Sequence, residues 1–351
     1  EILLATKEEI VAGFDPHKPK NWKQAIQTPK GPVEYIHYNQ YISPPWMRET
    51  PQNYECVEKY IPKFLKHFIP DEIERDYVIW WLYKLMYSRC EDVLVLVGTQ
   101  GNGKNTLMEL ASIICGLENT ITGSKAFGKE KFNSEVRRRK LVNLDEYALK
   151  EAQRDSLKNF CNRRITVEGK GQDPYSFLNH CSFIIANNRE LNILVEYRDR
   201  RFTIPTLTDK NLLDVWNEIE VNKMMEVLET DEFQIAFPHW IEKTVKESGI
   251  DFIRNKPLIT SKFHRITELA KPSWFKYLKY KIKKTGQGTT QDIYKQKRLR
   301  VSDDKIQEQL QKEFEEREYK NIHPFINVTF EEEAGKILYR GLGDDEDISG
   351  L

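Results

Sequence analysis

The sequence predicts an α/β fold built on a mainly parallel sheet, and three observations carry that prediction. An apolar run, residues 93–97, leads into Gly98-Thr99-Gln100-Gly101-Asn102-Gly103-Lys104-Asn105-Thr106, and a helix-periodic stretch follows. Two further apolar runs, 140–144 and 181–186, end in the polar pairs Asp145-Glu146 and Asn187-Asn188. Helical stretches separate the runs, as alternation around a parallel sheet requires.

The chain has 351 residues, with 54 Lys and Arg against 54 Asp and Glu and a formal net charge of +0. Attraction to a polyanion must therefore come from local patches rather than the whole field. Cys56, Cys90, Cys115, Cys161 and Cys181 are widely spaced and form no C-x-x-C pair, which argues against a disulfide framework or a zinc site and suits a reducing cytosol. No apolar run approaches the roughly 18 residues that span a bilayer, and no signal peptide opens the chain. Starting at Glu1 without a methionine is the expectation for a fragment of a longer polypeptide.

Residues 1–70 are rich in Pro, Tyr and Lys, include Pro44-Pro45, and read as an irregular connector with little core. Residues 71–92 read as a helical flank, with Ile73, Val78, Trp81, Leu82 and Leu85 packing beside the strand that follows. Residues 93–250 carry the sheet and its following helices. In them Leu107, Leu110, Ala111 and Ile114 would lie on the sheet, Leu212, Val215, Trp216 and Ile219 mark a helix, and 224–228 another. Residues 251–351 read as a small mixed α+β accessory domain, winged-helix-like. It would have an acidic amphipathic helix through Ile306, Leu310 and Phe314, a hairpin over 327–339, and an acidic tail at 344–347.

The glycine-rich stretch is expected to be a phosphate-binding loop between a buried strand and a helix. Its backbone N–H groups converge on an anion, Lys104 adds a point charge, and the helix presents its positive N-terminal end. Asn105 stands where a serine or threonine hydroxyl would bind Mg²⁺, and Thr106 next to it is the open substitute. An amide oxygen is the poorer ligand, so nucleotide binding should survive better than hydrolysis. In a nucleotide site, Asp145 supports the metal shell and Glu146 orients or deprotonates the attacking water. Alone, the same pair reads as a solvated strand end. Asn188 can donate to a γ-phosphate oxygen and accept from that water, although two asparagines after a strand also suit an ordinary turn. Arg198, Arg200 and Arg201 crowd the approach to another strand. They are either transition-state cations or a basic turn paired with Glu196. Between the second and third apolar runs, Gly169 and Gly171 permit a tight reversal with Lys170 at its tip.

The order of phosphate loop, Leu-Asp-Glu, strand-Asn and Arg-Arg over about residues 70–210 resembles the superfamily 3 helicases, the compact AAA+-type ATPases of small DNA viruses, phages and plasmids. Within them it is most similar to the helicase half of phage primase-helicases and primase-polymerases. The resemblance implies an AAA+-like P-loop ATPase core that holds ATP on residues 98–106 and Mg²⁺ through Thr106 and Asp145. Glu146 would activate water, Asn188 would sense the γ-phosphate, and Arg200 or Arg201 would reach a neighbouring subunit's nucleotide. Lys170 would project into a ring's channel and hold the backbone of single-stranded DNA. It further implies a homo-oligomer, a hexamer, joined to an N-terminal primase-polymerase domain of the same polypeptide. Such a phage protein would work in the host cytoplasm without a membrane. The activity implied is an ATP-dependent DNA helicase or translocase. The alternative is a weakly hydrolysing or inert ring that serves as a DNA-holding clamp. No N-K-x-D base-reading motif follows the loop, which disfavours a GTPase.

Between residues 276 and 300, nine Lys and Arg face the single acid Asp292, interleaved at the start with Tyr277 and Tyr280 and preceded by Trp274 and Phe275. Two readings stay open: a phosphate-tracking, base-stacking patch, or an aromatic core beneath a solvated lysine face.

Overall fold

The computed structural model describes residues 9–28, 31–123, 136, 138–149, 157–158, 160–167, 175–195, 199–252, 256–270, 287–289, 322–323, 328–333 and 336–341. The chain forms two compact units, Glu1–Ala270 and Lys271–Leu351, so the division falls later than residue 250.

The first unit opens with β1 (Glu9–Gly13), β2 (Asn21–Thr28) and β3 (Gly31–Asn39), a sheet of order β1-β3-β2 in which β1 runs parallel and β2 antiparallel to β3. This corrects the expectation of an irregular connector. The alternation in these strands is diluted by proline and lysine, and tertiary bonds hold the turns. Buried Asn39 donates to the carbonyls of Asp15 and Lys18, both at 2.8 Å, and accepts from Tyr41 N at 3.0 Å. Downstream, Trp46 Nε1 donates to Ile114 O at 2.9 Å, and Asn119 bonds both backbone groups of Ile42.

Helices α1 (Glu55–Glu58), α2 (Ile61–Phe68) and α3 (Glu72–Tyr87) follow. The α3 N-terminus is capped by Asp71, whose carboxylate accepts from Glu74 N at 2.9 Å. Residues 77–82, Leu85 and Met86 are all buried, so this helix is enclosed on most sides rather than amphipathic. Ile73, expected to pack inward, is exposed.

The central sheet comprises β4 (Val93–Val97), β5 (Thr120–Thr122), β6 (Leu141–Leu144), β9 (Ser182–Asn187) and β10 (Phe202–Thr203), ordered β10-β4-β9-β6-β5 with every pairing parallel. The predicted α/β class is thus observed. On β4, Leu94 and Leu96 join the core with α2, α3 and α4 (Lys104–Cys115). Val93, Val95 and Val97 face a second core with Phe183, Ile185 and Phe202. Side chains alternate across a strand, so one apolar run feeds both layers. Each buried side chain contributes roughly 1.5–3 kcal/mol. Between β6 and β9, β7 (Arg164–Val167) pairs antiparallel with β8 (Tyr175–Leu178).

After β10, residues 212–214 form one 3₁₀ turn, and Asn217 then caps α5 (Glu218–Leu228) by accepting from Glu220 N. The expected helix through Leu212 and Ile219 is therefore broken, and Val215 and Ile219 are exposed. Helix α6 (Asp231–Ser248) contains Pro238, and α7 (Ser261–Ala270) closes the unit. In the second unit, β11 (Gln287–Thr289), β12 (Ile322–His323), β13 (Val328–Glu333) and β14 (Lys336–Gly341) form an antiparallel sheet of order β11-β14-β13-β12, with β13 and β14 as the expected hairpin. The basic segment, the helix through Leu310 and the acidic tail lie outside the described residues, apart from the short β11, and so do the helices of a winged helix.

Asp92, fully buried at the entrance to β4, accepts from Tyr77 OH at 3.0 Å and Thr203 Oγ1 at 2.8 Å. Burial pushes its pKa up, opposed by those two hydrogen bonds and by Lys84. A native acid with a raised pKa binds its proton more tightly than the unfolded chain does. Its contribution is therefore a loss of stability as pH rises from the unfolded value near ~4 through the raised native one. Glu74, also pushed up by burial, adds the same sign. Thermal melts of Asp92→Asn between about pH 4 and 7 should show a flatter decline than the parent; an identical slope would remove Asp92 as its source.

Candidate functional site

The loop between β4 and α4 takes its shape from two glycines in the left-handed region, Gly101 at φ +77° and Gly103 at φ +112°. A methyl at Gly103 would meet the Phe64 ring at 2.6 Å, and one at Gly101 would overlap the Asn211 amide. Only glycine fits both positions. The backbone N–H groups from Thr99 to Thr106 find no acceptor among the described residues, although several of these residues are buried. Such donors at a helix N-terminus form a site that calls for an anion. Lys104, 7% exposed, donates from Nζ to Gly98 O at 2.9 Å, Thr99 O at 2.5 Å and Asn102 Oδ1 at 3.1 Å. Burial lowers its pKa, and Asp145 opposes the shift.

A cleft of about 220 Å³ opens over this loop, lined by Gln100, Gly101, Gly103, Lys104, Asn105, Thr106, Asp145, Glu146, Asn188 and Leu212. Sheet order explains the convergence. Strand β9 lies between β4 and β6, so the residue after β9 falls between the glycine-rich loop and the acids after β6. Asp145 Oδ1 accepts from Glu146 N at 2.9 Å. Glu146 sits at φ +50°, the one left-handed non-glycine residue among those described, a conformation that costs on the order of 1–3 kcal/mol and concentrates at functional sites.

The two asparagines are not equivalent. Asn187 is buried and its amide is engaged through both nitrogen and oxygen: it donates to Tyr147 O at 2.9 Å and accepts from Arg189 N at 2.8 Å and Asn192 Nδ2 at 3.1 Å. Asn188 is exposed and lines the cleft. Asn105 is exposed, whereas Thr106 is buried, and its hydroxyl has no hydrogen bond to a described residue. The unpaired donors, Lys104, Asp145 and the Thr106 hydroxyl together fit a polyphosphate with a divalent cation.

Three members of the loop do not line this cleft. Gly98 forms the turn out of β4, with Asn102 packed against its Cα. Thr99 Oγ1 donates to Asp209 O at 3.0 Å, and fully buried Asn102 donates to Thr208 O at 3.0 Å. Both brace the loop against a strap, residues 206–212, that sequence reasoning missed. Leu212 N also donates to Gly101 O at 3.0 Å, and Thr206 N and Oγ1 bond the Glu74 carboxylate. Phe64 and Phe68, beneath Gly103, were missed as well.

The arginines stand elsewhere. Phe202 pairs with Val93, so Arg200 and Arg201 lie where the strands begin, roughly 16 Å of strand from the loop at the end of β4. Arg201 bonds Asp199 Oδ1 through both its backbone N and NH1 at 3.2 Å. Arg200 is exposed, with no hydrogen bond or ion pair to a described residue. Lys170, Gly169, Gly171, Glu196 and Arg198 lie outside the described residues.

A family of unknown function, DUF5906, matches residues 96–201, a span that holds every motif of the cleft. The chain is 24% identical over 222 residues to the DNA primase-polymerase of Nitratiruptor phage NrS-1, covering 58% of this chain and 29% of that protein. An apo structure of the NrS-1 C-terminal region superposes with a TM-score of 0.59 at 18% identity, over 95% of this chain and 85% of that one. The chain shares that fold. A second apo structure of the same region gives a TM-score of 0.58 at 19% identity. This chain therefore spans under a third of its curated relative's length and resembles that relative's C-terminal region. Among the described residues no helix is long and apolar enough to cross a membrane.

Gly103→Ala should lower the melting temperature, through a left-handed backbone cost of roughly 1–2 kcal/mol and the Phe64 clash. It should also weaken binding of a non-hydrolysable nucleotide. Gly123→Ala, which meets nothing within 4 Å, is the neutral comparison. Equal melting and binding in the two variants would contradict the loop geometry.

Proposed function

We propose that this chain is the ring-forming, ATP-dependent DNA helicase or translocase domain of a phage replication protein, working as a hexamer in the host cytoplasm. An N-terminal primase-polymerase domain of the same polypeptide would accompany it. The observation that carries this reading is the single cleft in which Lys104, Asp145, Glu146 and Asn188, from three motifs spread over the sheet, stand together.

In this reading Lys104 exchanges its loop carbonyls for phosphate oxygens of ATP, and the N–H groups of residues 99–106 supply the remaining donors. Asp145 and the Thr106 hydroxyl hold Mg²⁺, which would neutralise charge on the phosphates. Glu146 orients the attacking water and takes its proton, and Asn188 fixes the water against the γ-phosphate. The positive charge still lacking comes from a second copy of the chain. Arg200 is the finger and Arg201 its anchor, because Asp199 occupies Arg201 and the sheet separates both from their own loop. Lys170 holds single-stranded DNA. Asn105, at the usual hydroxyl position, supports the second reading, in which the ring binds nucleotide, hydrolyses it poorly and serves as a clamp for the attached polymerase.

Mg²⁺-dependent ATP hydrolysis, measured with and without single-stranded DNA, tests the proposal. Lys104→Ala should abolish turnover, and Glu146→Gln should lower it by roughly 10²- to 10⁴-fold while nucleotide binding persists. Turnover that is insensitive to both substitutions would reject the site. Arg200→Ala should cost roughly 10³-fold or more, and mixing it with Lys104→Ala, whose intact Arg200 can serve a neighbour, should restore part of the rate. If wild-type turnover is absent but appears in Asn105→Ser, the clamp reading stands instead.

A further inference from the structure

The hairpin formed by β7 and β8 pairs from Arg164↔Leu178 to Val167↔Tyr175, and Lys170 lies in the connection between the strands. Its root is locked. Buried Asn179 donates from its backbone N to Arg163 O at 2.9 Å, and from Nδ2 to Phe160 O at 2.6 Å and Asn162 O at 3.1 Å. The Asn179 Oδ1 accepts from Cys181 N at 3.0 Å. Ile165 and Cys181 are buried in the core beneath.

On this rigid root Arg163 and Arg164 are both exposed, and neither guanidinium has a hydrogen bond or ion pair to a described residue. Some other exposed cations of the unit, unlike these two and Arg200, are paired with acids: Arg265 with Glu190, Lys246 with Glu242, and Lys243 with Glu58. Arg164 opens β7, and Arg163 is the bend residue just before it. Arg164 shares its face with Leu178, itself 40% exposed. Guanidinium forks held on a fixed backbone, without an internal carboxylate, match phosphate oxygens.

We propose that Arg163 and Arg164 are a second phosphate contact for single-stranded DNA, at the root of the hairpin whose two strands are joined by the segment containing Lys170. This rests on the reading that the hairpin holds single-stranded DNA. The root lies where β9 begins, and the nucleotide cleft lies where β9 ends. DNA gripped there would not touch the nucleotide of the same subunit.

The test is fluorescence anisotropy with a labelled oligothymidylate, using the full chain, across a series of salt concentrations. Two phosphate contacts contribute about 1.4 to the slope of log K against log salt, which is roughly 25-fold in affinity at 0.1 M salt. Arg163→Ala/Arg164→Ala should lose both, Arg163→Lys/Arg164→Lys should keep the slope, and the distant pair Lys66→Ala/Lys223→Ala should leave affinity unchanged. On an uncharged methylphosphonate oligonucleotide the parent and the double alanine variant should bind alike. Thermal melts show whether the double variant is folded, and if it is not, each single alanine variant should carry about half the slope change. If Lys170→Ala weakens binding while the root variants keep parental affinity and slope, the inference is overturned and the hairpin reading stands. If Lys170→Ala also binds normally, the hairpin reading itself fails.

Discussion

The backbone donors from Thr99 to Thr106 find no acceptor among the described residues, and the structure around the loop offsets the cost of those that are buried. An unsatisfied buried N–H costs about 1–3 kcal/mol, so an unsupported loop would collapse onto its own carbonyls. Phe64 and Phe68 press from beneath at Gly103, while the strap from Thr206 to Leu212 holds the loop at Thr99, Gly101 and Asn102. The Lys104 side chain, unlike these backbone groups, does have acceptors: its Nζ has turned onto the Gly98 and Thr99 carbonyls, where burial already weakens its hold on the proton.

The same strap ties the loop to the far end of the sheet. From the Arg201–Asp199 contact the chain passes Thr203, bonded to Asp92, then Thr206, bonded to Glu74, and reaches Thr208, which receives the Asn102 amide. Both carboxylates are pushed toward protonation by burial, and hydrogen bonds from Thr203 and Tyr77 to Asp92 and from Thr206 to Glu74 oppose that shift. Strap and carboxylates therefore depend on each other: without the threonine donors two buried acids would be left underbonded.

A parallel sheet also sorts the chemistry by direction. Its strands finish at the cleft, with Asp145, Glu146 and Asn188, and begin at the opposite end with Arg200, Arg201 and the hairpin root. A chain with no net charge can in this way present an anion site at one end and cations at the other.

The strongest local signals were legible in the sequence. Residues 93–97 had to be a buried strand, and the glycines after them a tight turn into a helix, because the apolar run is continuous and glycine alone readily takes backbone angles such as those of Gly101 and Gly103. Residues 140–144 and 181–186 were legible for the same reason, and the polar pairs after them followed. The small N-terminal sheet was not, since its turns depend on bonds such as Asn39 to Asp15, between residues far apart in the chain. Nor was α6, where Pro238 masks a helix that tertiary packing sustains. Asn188 already stood out from Asn187 in the sequence; the tertiary structure alone showed that Asn187 is occupied, that Asn102 and Thr99 brace the loop instead of lining the cleft, and that Arg200 and Arg201 differ in their partners. Local pattern fixes which residues can do chemistry. Which of two adjacent identical residues is free to do it depends on partners that only the folded chain brings within reach.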